Sequence, residues 1–196
     1  MDCLIAIEDL KKRVHDKWDD TKRPLRDNII RGHTRSISAD IEDSVALFVS
    51  SVLGDGFDIY IDPSISFDNK THRPDLLVVK DGIIKAFIEL KSNMGWCRDA
   101  SDVIDKIKKM NDKFCEEKHL TCKFSNAEPK DVLYTNGVKL FLVALSARNG
   151  GKKDQIDKNY ECAKKEGVYF FLLFDGWYGD LENLDVESFA KELQDL

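Results

Sequence analysis

The segment Ile88-Glu89-Leu90-Lys91 sets an acid and an amine two residues apart in a run with strand character. Period-two alternation sends Glu89 and Lys91 to one face of such a strand and Leu90 to the other. Asp75 opens the preceding apolar run, Leu76 to Val79, and Asp81-Gly82 between the two runs is a hairpin turn signal. The carboxylates of Asp75 and Glu89 can therefore converge. Two hard carboxylate oxygens, completed by waters and a phosphate oxygen, suit Mg²⁺, which proteins usually hold through only one or two carboxylates. Lys91 then stands beside water bound to that ion.

This convergence imposes a condition on the hairpin. A strict two-residue turn at Asp81-Gly82 pairs Lys80 with Ile83 and, in a regular ladder, sets Asp75 opposite Ile88, on the wrong face from Glu89. One extra residue restores the match. The sequence therefore predicts a three-residue loop with Gly82 left-handed and a G1 bulge, or an equivalent irregularity before Glu89.

The elements that position these residues follow from hydrophobic period and punctuation. A first helix is expected over about Leu4–Trp18, followed by a basic connector, Arg23–Arg35, containing Pro24 and Gly32. Ser36 or Ser38 can cap a second helix, which places Ile41, Val45, Phe48, Val49 and Val52 on one stripe and stops near Gly54. Strands are expected at Phe57–Ile61, Leu76–Val79 and Ile83–Leu90, and a long amphipathic helix at about Ala100–Lys118 carries Val103, Ile107, Met110 and Phe114. Val138–Leu145 and Val168–Phe174 are nearly all apolar, as strands covered on both faces are. Lys153–Glu166 between them reads as a helix, and Val186–Leu193 as a final one. The order is that of an α/β fold, a central mixed sheet flanked by helices.

Pro74-Asp75 followed by Glu89-Leu90-Lys91 resembles the PD-(D/E)XK motif of the restriction-endonuclease-like nucleases, and the αβββαβ order around it resembles that superfamily's core. The resemblance covers roughly 36–174. It implies that Asp75 and Glu89 hold Mg²⁺ (Mn²⁺ can substitute), with the Leu90 carbonyl as a further oxygen ligand and Lys91 orienting or deprotonating the attacking water. An acid on the helix before the meander often joins such sites, and Glu42 occupies that place, to bind a second metal or position the first one's waters. The implied reaction is in-line hydrolysis of a DNA phosphodiester, leaving 5′-phosphate and 3′-hydroxyl ends. A type II restriction endonuclease that reads double-stranded DNA as a homodimer is the first reading, because a palindromic site is naturally met by a two-fold dimer. A structure-specific or repair nuclease, such as a junction resolvase, is the alternative, and a non-catalytic DNA-binding or interaction domain of the same fold is the third.

Composition sets the surroundings of this site. With 196 residues, 42% hydrophobic and 34% charged, the chain is expected to form one domain over 1–196, with an N-terminal helix and connector at 1–35 and a C-terminal helix at 185–196. No segment approaches the roughly 18 apolar residues of a membrane helix, so a cytoplasmic protein that does not engage membranes is expected. The net charge is −6, yet Lys11–Arg35 holds nine Lys/Arg against four Asp, a strip suited to phosphates. His33, Arg35, His72, Arg73, Asn93, Trp96 and Arg98 flank the acidic elements and are candidates for DNA contact. Gly150-Gly151-Lys152-Lys153 lacks the spacing of a nucleotide-binding loop, so no nucleotide cofactor is expected. The five cysteines form no CxxC pair; Cys115, His119 and Cys122 would share one face of a continuous helix and could there hold a metal, although a fourth ligand is missing.

Overall fold

The computed structural model describes residues 3–22, 37–67, 70–93, 99–148 and 152–196. In chain order these form α1 (Cys3–Lys22), α2 (Ser38–Leu53), β1 (Asp58–Ile61), β2 (Ser64–Phe67), β3 (Lys70–His72), β4 (Leu76–Lys80), β5 (Ile83–Asn93), α3 (Ser101–Glu117), β6 (His119–Lys123), β7 (Lys130–Leu133), β8 (Lys139–Ser146), α4 (Lys153–Lys165), β9 (Tyr169–Trp177), β10 (Asp180–Asn183) and α5 (Val186–Gln194). The α2–β1–β4–β5–α3–β8 succession is the expected αβββαβ core.

All ten strands belong to one connected mixed sheet. At its centre β1, β4 and β5 form an antiparallel meander, and β8 and then β9 continue it in parallel with β5. Parallel strands need a long crossover, and α3 and α4 supply it. The sheet separates two apolar cores. On one side α1, α2 and α5 pack on Leu76, Val78, Ala86, Ile88 and Leu90; on the other α3 and α4 pack on Leu77, Val79, Ile84 and Phe87. Each fully buried side chain of this kind contributes about 1.5–3 kcal/mol, so a one-residue slip that moved the whole set to the wrong face is strongly opposed. The apolar runs of β8 and β9 are buried on both faces, as their composition requires.

Several expectations are corrected. Ser38 is the first helical residue rather than a cap, and the cap position, Ile37, makes no side-chain bond; Ser36 and the basic connector lie outside the described residues. The long helix stops at Glu117, where Lys118 takes a positive φ of 62°, and the chain turns into β6. His119 and Cys122 therefore lie on a strand, one exposed and the other buried, and do not share a helix face with Cys115. The metal reading of that trio fails for this reason. The β2–β3 and β6–β7 hairpins, which join into a polar-rich wing beside the meander, have no counterpart among the expected strands. No described helix is long and apolar enough to cross a membrane.

Candidate active site

The hairpin solves its register problem differently from the favoured expectation. Lys80 pairs with Ile83 across a strict two-residue turn, in which Asp81 and Gly82 both have positive φ (51° and 73°), as a type I′ turn demands. The extra residue sits farther along: Val79 faces Ile84 while Val78 faces Ala86, leaving Lys85 unpaired as a bulge in β5. From there the ladder runs to Leu76 opposite Ile88; carried one residue further, that register sets Asp75 level with Glu89, where the Leu90 N–H reaches the Asp75 carboxylate. The required irregularity before Glu89 is present, and the three-residue loop is not.

Asp75 is fixed by the strand it faces: its Oδ2 accepts a 2.6 Å hydrogen bond from the Leu90 backbone N–H. Burial, and next the charge of Glu89, push its carboxyl up from the usual 3.8 to about 6, against the lowering effects of the Leu90 N–H, Lys91 and Lys106. Glu89 has its side chain only 3% exposed. Its Oε1 accepts from Lys91 Nζ at 2.8 Å and from Lys106 Nζ at 3.1 Å. Lys91 Nζ also donates to the Leu90 carbonyl at 3.1 Å, which brings that oxygen into the same volume. Glu89 Oε2, equally buried, has no hydrogen-bond partner among the described residues.

Glu42 reaches the same electrostatic field from α2. Its carboxyl is raised first by burial and then by the charges of Asp75, Asp62 and Asp43, with Lys91 acting in the opposite direction. It is not close enough to complete a metal cluster: among the described residues no three His, Cys, Asp or Glu side chains are grouped to hold an ion. Two carboxylates suffice for Mg²⁺ when waters and phosphate fill the remaining positions. The donor set fits such an ion, because a buried anionic oxygen without a partner is costly and Glu89 Oε2 is one, next to a carboxylate whose ionisation a cation would favour.

Two residues of this neighbourhood escaped the sequence reading. Lys106 lies on α3 immediately before Ile107 of the apolar stripe, in the run Lys106-Ile-Lys-Lys109, where only packing selects the lysine that meets Glu89. Asp62 follows β1, and its backbone N–H donates to the Asp75 carbonyl at 2.9 Å. Asp62 also borders a cleft of about 520 Å³ with Arg73, Lys123, Phe124 and Asn126, in which Arg73 is exposed. His72 instead packs its ring edge-on against Phe114 of α3. Asn93 donates to the Tyr178 hydroxyl at 3.3 Å, which in turn donates to the Ser92 carbonyl, tying the end of β5 to the segment after β9. His33, Arg35, Trp96, Arg98, Gly150 and Gly151 lie outside the described residues.

No family model matches the chain, and no curated protein does. Among solved structures, P. aeruginosa ATCC27853 NucC in its cAAA-bound form aligns with 99% of this chain and 91% of its own length, at a TM-score of 0.50 and 9% sequence identity. At that identity the likeness is one of fold. The chain thus has a NucC-like mixed α/β fold, with a large mixed sheet flanked, among the described residues, by five helices and with Asp75 and Glu89 at its central hairpin.

Proposed function

We propose that this chain is a divalent-metal-dependent nuclease of the PD-(D/E)XK type that hydrolyses phosphodiester bonds in DNA. The observation that carries the reading is the meeting of Asp75, Glu89 and Lys91 on one sheet face, with the buried Oε2 of Glu89 left unsatisfied among the described residues. The NucC-like fold supports it, since the acids occupy the central hairpin.

In this reading Asp75, Glu89 and the Leu90 carbonyl would hold Mg²⁺, or Mn²⁺ in its place, and Glu42 would position bound waters or a second ion. The ion, when bound, lowers the pKa of water and neutralises charge building on the phosphate. The Leu90 N–H keeps Asp75 aimed at Glu89. Lys91, anchored by Glu89 Oε1 and the Leu90 carbonyl, presents its remaining donor to the attacking water or a phosphate oxygen and stabilises the developing charge. The water oxygen bonds to phosphorus in line with the departing 3′-oxygen, which takes up a proton, leaving 5′-phosphate and 3′-hydroxyl ends. The cleft bordered by Arg73 and Lys123 offers cations for the flanking strand.

The finer reading is a type II restriction endonuclease acting on duplex DNA as a homodimer, because one site per chain must be doubled to cut both strands of a two-fold symmetric sequence. The cAAA carried by NucC favours a second reading, in which a cyclic oligonucleotide switches cleavage on. The test is supercoiled plasmid incubated with Mg²⁺, with EDTA, with Mg²⁺ plus cAAA, and with a Lys91→Ala variant. Mg²⁺-dependent nicking lost with EDTA and with the variant is expected; discrete fragments favour the restriction reading, and cutting only with cAAA favours the second. Equal nicking in every tube, or none in any, removes the nuclease assignment.

A further inference from the structure

The carboxylate of Glu89 is held by two ammonium groups from different elements, and they are not equivalent. Lys91 is confined: its side chain is 26% exposed and it is tied to both Glu89 Oε1 and the Leu90 carbonyl. Lys106 is 59% exposed, comes from the solvent-facing flank of α3, and makes its described polar contact to Glu89 Oε1 alone, at 3.1 Å. A carboxylate this deeply buried needs a nearby cation to remain charged. Both ammonium groups crowd one oxygen, while the other oxygen is left without a partner. When a divalent ion neutralises Glu89, the second ammonium becomes redundant there. The lysine with a flexible, half-exposed stem is the one able to leave, and what lies outward of the acids is the expected position of the substrate phosphate.

We propose that Lys106 is a cation placeholder: it neutralises Glu89 while the metal is absent, and exchanges that contact for a phosphate oxygen of the DNA once the ion is bound. The inference rests on the nuclease reading for the identity of the phosphate, but its first half concerns only Glu89 and the ion. It gives α3 a direct role in substrate binding, which a helix that merely covered the sheet would not have.

The two halves predict effects of opposite sign for a Lys106→Met variant. Calorimetric titration of DNA-free protein with Mn²⁺ should show affinity raised by roughly three- to tenfold, since one competing and partly screened positive charge is gone. Binding of duplex DNA in Ca²⁺ should weaken by about tenfold, with the slope of log affinity against log salt reduced by about one between roughly 50 and 200 mM. Lys106→Arg, which keeps the charge and a phosphate donor, should recover the DNA terms. Weaker Mn²⁺ binding with unchanged DNA affinity would make Lys106 a prop for Glu89 and overturn the proposal; so would no change in either measurement. A wild-type protein that binds Mn²⁺ but no DNA discards the nuclease reading and the phosphate half together, whereas wild-type binding that Lys106→Met leaves intact, salt slope included, discards only the role of Lys106.

Discussion

Replacing Asp75 with Asn should make the metal-free protein more stable near neutral pH while destroying its response to Mg²⁺. Asp75 is half-buried beside Glu89, and these two influences raise its carboxyl from 3.8 to about 6. Because the folded value lies above the unfolded one, folding favours the proton: stability conferred by this group is fully present below about pH 4 and is lost as pH rises through about 6. At about 1.4 kcal/mol for each pH unit between the two values, ionised Asp75 costs the metal-free fold up to ~3 kcal/mol, and discounting for its partial solvent exposure leaves ~1.5–3. Asn keeps an oxygen for the Leu90 N–H and removes the repulsion. For a chain of this size that corresponds to a rise in Tm of about 3–10 °C. The assay is thermal unfolding in EDTA at about pH 8 and again below about pH 4, where the difference should vanish because the carboxyl is protonated in both states. Added Mg²⁺ should raise the Tm of the wild type and not that of Asp75→Asn. A variant less stable than wild type at pH 8 in EDTA, or one that still gains stability from Mg²⁺, would refute the view of Asp75 as a carboxylate kept under electrostatic strain for a cation.

Other consequences follow from the same geometry. Lys91→Ala should lower the cleavage rate by about 10²–10³-fold, and, by leaving Glu89 with Lys106 as its sole described ammonium partner, should cost about 1–3 kcal/mol of stability measurable by urea unfolding. Glu42→Gln should slow cleavage while reducing Mg²⁺ affinity less than Asp75→Asn does, as calorimetry can rank, because Glu42 feels the site's charges from outside the close pair. The Cys122 thiol, fully buried and pushed up to about 11 by burial and by Asp131, should resist iodoacetamide in the native protein, whereas the half-buried Cys3 and Cys162 should be modified first on mass-spectrometric mapping.

The chemistry of the site was legible because it depends on short-range alternation. Any strand through Ile88–Lys91 puts Glu89 and Lys91 on one face, and burial of Leu90 among α1, α2 and α5 agrees with that parity. The helices with strong apolar stripes and the doubly buried strands β8 and β9 were also legible, since their patterns extend over many residues. The β2–β3 and β6–β7 hairpins were not. Their strands are three to five residues long and mostly polar, so the few buried side chains, Ile65, Leu120, Cys122 and Val132, become a pattern only once they lie against Phe114 and Tyr134. The continuous helix on which Cys115, His119 and Cys122 would share a face is not formed, because α3 ends at Glu117 and β6 is claimed by pairing with β7 and β2, a tertiary demand that overrides local period.

By itself, then, the sequence determined which side chains are available to a metal and a phosphate, and that the hairpin must carry one extra residue for its acids to meet. Where that residue goes was decided by tertiary structure. A three-residue loop at Gly82 and a bulge at Lys85 both satisfy the turn chemistry, but the second lets Ile84 join Leu77 and Val79 in one core while Ala86 joins Leu76 and Val78 in the other. Lys106 is likewise one of three lysines in a run of four residues, and only the docking of α3 on the sheet brings its ammonium, rather than a neighbour's, to Glu89. Local sequence specifies direction within an element; contact between elements distant in the chain requires the buried surfaces that hold them together.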